Sequence, residues 1–126
     1  MDSEEFFERL GKAQDLMAEE KYIDALNILY KLKEIEQKGE FDYSLTHKLY
    51  QLISNSESLL NQTRILKALD EISKKYDSIS FDELSKLLEK VQNISLEPGI
   101  LRREIELLIL RNKIPYKIET DSLIFQ

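Results

Sequence analysis

Few side chains in this chain are equipped for chemistry. His47 is the sole imidazole, and there is no cysteine. His47 stands among Thr46, Lys48 and Leu49 with no acidic residue at metal-ligand spacing, so neither zinc chelation nor histidine-assisted proton transfer has its partners. The lack of thiols removes disulfides, thiolate zinc sites and cysteine nucleophiles, and reads as a reducing, intracellular setting. Gly11, Gly39 and Gly99 stand apart from one another, which leaves no glycine-rich loop to cradle a phosphate. The pairs Glu4-Glu5, Glu19-Glu20 and Asp82-Glu83 fall where helices start or turns face solvent, and negative charge suits a helix start. The expectation is a protein that is not an enzyme, with no cofactor and no metal.

Binding chemistry is the next question. The chain has 18 basic and 24 acidic residues, divided 7 against 13 up to Leu60 and 11 against 11 beyond it, so the net negative charge is N-terminal. Nucleic-acid binders neutralise phosphates with clustered lysine and arginine. The one cluster of that kind is Arg102, Arg103, Arg111 and Lys113, and it is interrupted by Glu104 and Glu106, which would oppose phosphate, and by the apolar run Leu107 to Leu110. A winged-helix nucleic-acid-binding or transcription-regulatory protein is therefore the alternative reading. A solvated or partner-facing basic face is the simpler one.

The elements that must carry these residues can be read from spacing. Ser80, followed three residues later by Glu83, forms a capping box, and behind it Phe81, Leu84, Leu87, Leu88 and Val91 recur on one helical stripe. Ile79 lies between two serines, long enough for a stub of strand. Ser95 offers another cap and Pro98 suits a first turn, so a helix is predicted from about Leu96 to Arg111. Here Ile100 and Leu107 sit apart from the face of Leu101, Ile105, Leu108 and Ile109. Either this helix is buried on both flanks, or one flank is an interface. The period then changes to two: Ile114, Tyr116 and Ile118 alternate with Pro115, Lys117 and Glu119, and Leu123 and Phe125 continue after Thr120-Asp121-Ser122. Two strands joined by a tight polar turn follow; with no glycine there, the turn type is open.

Toward the N-terminus, Asp2 or Ser3 can cap a helix bearing Phe6, Leu10, Ala13 and Met17. Tyr22, Ala25, Leu26, Leu29, Leu32 and Ile35 mark a second helix that Gly39 stops. Asp42 or Ser44 can cap a third with Leu45, Leu49, Leu52, Ile53, Leu59 and Leu60. Asn61 or Thr63 can cap a fourth with Ile65, Leu69, Ile72 and Tyr76, unless the third and fourth are one bent rod. The aromatic residues Phe6, Phe7, Tyr22, Tyr30, Phe41, Tyr43 and Tyr50 are expected as core between helices.

Two resemblances emerge from these residues. Ile79 to Leu84, Glu104 to Leu108, Ile118-Glu119 and Leu123 to Phe125 resemble the winged-helix end of PCI domains, found in subunits of the proteasome lid, the signalosome and translation initiation factor 3. Ile118 is followed by Glu119 where that family usually has aspartate, and the chain is shorter than the helical solenoids that precede this winged helix. Leu10-Gly11 with Tyr22-x-x-Ala25-Leu26 is similar to one tetratricopeptide-like unit, with small residues where the helices cross. The resemblance implies a mainly α fold in which an N-terminal helical hairpin and bundle (1–62) precede a C-terminal winged helix with a small antiparallel sheet (63–126), packed as a single PCI-like domain. It also implies assembly with other protein subunits, or with itself as a homodimer, through the wing edge at Tyr116, Ile118, Leu123, Ile124 and Phe125. Function is then expected to be that of a non-catalytic interaction scaffold in translation, protein turnover or complex assembly. An acidic start and the lack of an apolar run of about 18 residues add the expectation of a cytoplasmic protein without a membrane segment.

Overall fold

Asp2 lies in extended backbone and its carboxylate accepts the Glu5 amide at 2.9 Å, capping α1 (Ser3–Ala18) in a computed structural model that describes Met1–Gln126. The helix ends in a Schellman turn. Glu20 takes a left-handed φ of 63°, the Lys21 amide donates to Leu16, and the Glu20 amide donates to Met17. The chain reverses there into α2 (Tyr22–Lys38) and stops in extended backbone at Gly39. Next comes α3 (Tyr43–Ile72), a single continuous helix of 30 residues, so the third and fourth predicted segments are one rod. The polar run Ser54 to Ser58 is poor helix former but holds no glycine or proline, and propensity that weak yields to packing. Strand β1 (Ser78–Ser80), α4 (Phe81–Gln92), α5 (Pro98–Leu110), β2 (Lys117–Glu119) and β3 (Ser122–Ile124) complete the order. The fold is mainly α, with five helices and one small three-stranded antiparallel sheet near the C-terminus.

The chain divides into two compact units, Met1–Leu60 and Asn61–Gln126. The core of the first is Phe6, Leu10 and Ala13 from α1, Ala25, Leu26, Leu29 and Leu32 from α2, and Leu49, Leu52 and Ile53 from α3. Phe41 closes on Phe6 with ring centroids 4.6 Å apart. The small residues at the helix crossing are Ala13 and Ala25, both fully buried. Gly11 is not among them, since a Cβ there would meet nothing within 4 Å. Several of the expected core aromatics are instead at the surface: Phe7, Tyr30, Tyr43 and Tyr50 are exposed. Tyr30 donates to Glu57 at 2.6 Å and Tyr50 to Glu36 at 2.8 Å, so each exposed ring has its hydroxyl held by a carboxylate.

The second unit packs Ile65, Ala68, Leu69 and Ile72 of α3 against Leu84 and Leu88 of α4, Leu101, Ile105 and Leu108 of α5, and Ile79 and Leu123 of the sheet. Ser80 caps α4 as expected, its hydroxyl accepting the Glu83 amide at 3.2 Å. Val91, by contrast, falls off the buried stripe and is 63% exposed, and Tyr76 lies beyond the end of α3. Helix α5 starts later than predicted: Glu97 is its N-cap, Pro98 follows at the first position, and Ser95 does not cap it. The hydroxyl that approaches this segment is that of Ser85, which donates to the Leu96 carbonyl.

Candidate protein-interaction surface

Four backbone features place the sheet and leave one of its edges open. A second Schellman turn ends α5: Asn112 sits at φ 58°, and the amides of Lys113 and Asn112 return to Leu108 and Ile109. Ile114, nearly buried, then sinks into the core, and the chain emerges as β2. The strands order β1-β3-β2, with Ile118 opposite Leu123 and Leu123 opposite Ile79. The Phe81 amide donates to Asp121 at 2.9 Å and the Phe125 amide to Asp77 at 2.8 Å.

These last two bonds fix which way each peptide group points. In an antiparallel ladder, residues alternate between exchanging hydrogen bonds with the residue opposite and pointing away. Asp121, Leu123 and Phe125 therefore bond toward β1, and Ser122 and Ile124 toward β2. Their partners there, Glu119 and Lys117, point inward. Ile118 points its N–H and C=O outward, away from the sheet. Pro115 has the inward parity of Lys117, so its missing donor does not blunt the outer edge. On the other margin Ser78 and Ser80 point outward, but β1 passes directly into α4 at Ser80, so that edge is cut short.

The turn that holds this hairpin is strained and anchored. Thr120 sits at φ 53° while Asp121 does not take a positive φ, the φ signs of a type II′ hairpin turn, in which glycine usually fills the first position. A β-branched residue there is an outlier. Arg102 holds it: one guanidinium nitrogen donates to the Thr120 carbonyl at 2.7 Å and another to Glu106 at 3.0 Å, and the guanidinium carbon lies 5.6 Å from the centre of the Phe81 ring.

Beside β2, the outer flank of α5 leaves an apolar groove lined by Glu106, Ile109, Leu110, Tyr116, Lys117 and Ile118. Leu110 is 77% exposed. Of the residues expected at the wing edge, Ile118 lies on the open strand, and Tyr116 precedes it with its ring edge-on to Phe125 at 4.9 Å. Leu123 and Ile124 belong to the middle strand, and Leu123 is wholly buried. Ile100 is at the surface, whereas Leu107 is half-buried. Sequence reasoning missed Leu110; the signal was there, since it falls outside the i, i+4, i+7 stripe of Leu101, Ile105 and Leu108.

The basic residues of the alternative reading are mostly engaged within the unit. Arg102 grips the turn as above, Arg103 reaches Glu104 at 3.4 Å, and Arg111 donates to the Gln62 amide oxygen. Glu104, one of the two acids that would oppose phosphate, is fully buried. His47 is exposed and stacks on Tyr43 with ring centroids 6.0 Å apart, and no group of three or more His, Asp or Glu is placed to hold a metal ion. No helix is long and apolar enough to cross a membrane.

Comparison with family models, curated proteins and solved structures finds no match. The candidate surface therefore rests on its own geometry.

Two tyrosines are electrostatically perturbed, both in the first unit. Burial, followed by the hydrogen bond to the Glu57 carboxylate and its charge, pushes the Tyr30 phenol up to about 12. The hydrogen bond to Glu36, more than burial, raises that of Tyr50. Neither hydroxyl lies near the groove residues in sequence or in unit, and both serve to tie α2 to α3.

Proposed function

We propose that the chain is a non-catalytic protein-interaction scaffold, a PCI-like subunit of a macromolecular assembly whose second unit is a winged helix and whose contact is the β2 edge with its flanking groove. The observation that carries this reading is the coincidence of outward-pointing Ile118 peptide groups with an exposed apolar flank at Leu110. An open strand edge offers hydrogen bonds to another chain, and apolar side chains beside it supply the area that makes such a contact stable. The alternative, nucleic-acid binding, has less support: three of its four cations, Arg102, Arg103 and Arg111, are already committed to internal partners. Assembly with other subunits follows from the resemblance to PCI domains, and a cytoplasmic setting fits a chain without cysteine.

Because Leu123 is core, the contact is tested at the surface. Purified from its own cells, the wild-type chain should retain partner subunits that Leu110→Glu loses, with the circular dichroism of the two proteins unchanged. An identical set of partners for both, or DNA or RNA binding with a steep salt dependence, would refute the scaffold reading.

A further inference from the structure

The β2 edge carries a charge pattern that is complementary to its own reverse. Its three residues are Lys117, Ile118 and Glu119. Lys117 and Glu119 are exposed and point to one face, while Ile118 points to the other, toward the groove with Leu110 and Ile109. If two such strands run antiparallel about a two-fold axis through Ile118, Ile118 faces its own copy, Lys117 faces Glu119 of the other chain, and Glu119 faces Lys117. The parity agrees as well. Ile118 is the strand residue whose N–H and C=O both point outward, so the pair on the axis exchanges two N–H···O=C bonds. Lys117 and Glu119 then fall at the flanking non-hydrogen-bonded positions, where opposed side chains come closest. In the opposite, parallel sense Lys117 would meet Lys117 and Glu119 would meet Glu119.

We infer that β2 pairs antiparallel with β2 of a second copy of the chain about a two-fold axis at Ile118, joining two three-stranded sheets into one of six strands. This rests on the proposed interaction surface and names its occupant. The isologous arrangement also uses the apolar groove. Each copy brings the same flank of Leu110, Ile109 and Ile118 to the junction, so both exposed patches are covered by one symmetric contact. A self-complementary pair of ion pairs selects the copy over an arbitrary strand, because any other strand at that edge would have to carry the same basic–apolar–acidic order from N to C.

The test exchanges the two charges on the intact chain and reads mass by sedimentation equilibrium over a concentration series. Lys117→Glu and Glu119→Lys each place like charges opposite one another twice in the symmetric contact. Each alone should weaken self-association roughly tenfold or more. The double variant, Lys117→Glu with Glu119→Lys, restores both pairs and should recover the wild-type dissociation constant. Mixing the two single variants should give a one-to-one heterodimer, since in that combination every cross-strand pair is again opposite in sign. Both residues are exposed, and unchanged circular dichroism establishes that the variants fold.

A wild-type chain that stays monomeric at its highest soluble concentration overturns the inference. So does a dimer that ignores the single substitutions, or one that the double exchange fails to rescue. These failures are distinguishable from failure of the scaffold reading: Leu110→Glu disturbs the groove whatever occupies it and is read by the loss of any bound chain, whereas only pairing with a second copy makes the charge exchange lose and then recover self-association.

Discussion

Replacing Arg102 by methionine should loosen the β2–β3 hairpin while leaving the helices in place. Arg102 makes three contacts that methionine cannot: the bond to the Thr120 carbonyl, the i, i+4 pair with Glu106, and the approach to the Phe81 ring. A hydrogen bond from a charged donor is worth about 1.5–3 kcal/mol net. The Arg102 side chain is 40% exposed and Thr120 is at the surface. Water therefore takes back part of that energy when the donor goes, and the low end applies. The exposed helix pair adds about 0.3–0.5 kcal/mol and the ring contact about 0.5–1 kcal/mol. Methionine keeps the packing of the stem and adds no further loss, so the expected net loss is about 2–3 kcal/mol. Urea unfolding followed by far-ultraviolet circular dichroism measures it, and amide exchange at Ser122 and Ile124 localises it to the hairpin. Arg102→Lys should recover less than half, because a single ammonium cannot serve Thr120 and Glu106 in two directions at once. Adding Thr120→Gly should offset about 1 kcal/mol in either background, since glycine takes a positive φ without the Cβ clash. A loss below about 0.5 kcal/mol for Arg102→Met, the scatter of ordinary surface changes, would refute the account of Arg102 as the anchor of a strained turn.

Two further predictions concern the first unit. Gly11→Ala should stabilise by about 0.5–1 kcal/mol, because a helix interior prefers alanine and a Cβ at that position meets nothing; a lowered urea midpoint would show that the position is more crowded than described. Tyr30 holds its proton more tightly folded than unfolded, with a folded value of about 12 against an ordinary 10.0. The stability it contributes is therefore complete below pH 10 and is lost as pH rises toward 12. Tyr30→Phe should flatten the alkaline end of the stability profile, and an unaltered profile would mean that Glu57 does not hold the phenol.

Some local signals carried into the structure and others, such as the cap expected at Ser95, did not. Ser80 with Glu83 fixed the start of α4, and the change from a period of 3.6 to one of 2 after Arg111 located β2 and β3. What local pattern hid was set by packing partners far along the chain. The apolar stripe of Leu49, Leu52 and Ile53 is out of helical phase with that of Ile65, Leu69 and Ile72, which reads like two helices although the backbone is one. Glu104 has the composition of a surface position and is buried, because a charged residue in a core depends on polar neighbours that no spacing rule supplies. The C-terminal hairpin was legible as a pair of alternating strands. That β3 and not β2 lies in the middle was not, since the position of β1 in the sheet depends on a pairing across α4 and α5.

That pairing governs the order in which the second unit can form. Ile79 meets Leu123 only after both intervening helices have been made, and closing so large a loop must precede any reward from the contact. On the ribosome, the apolar sides of α4 and α5 emerge first and wait uncovered for the strand that completes them. Released chains that end just before Ser122 should thus be the species most prone to capture by chaperones, with the hairpin as the final latch on the second unit.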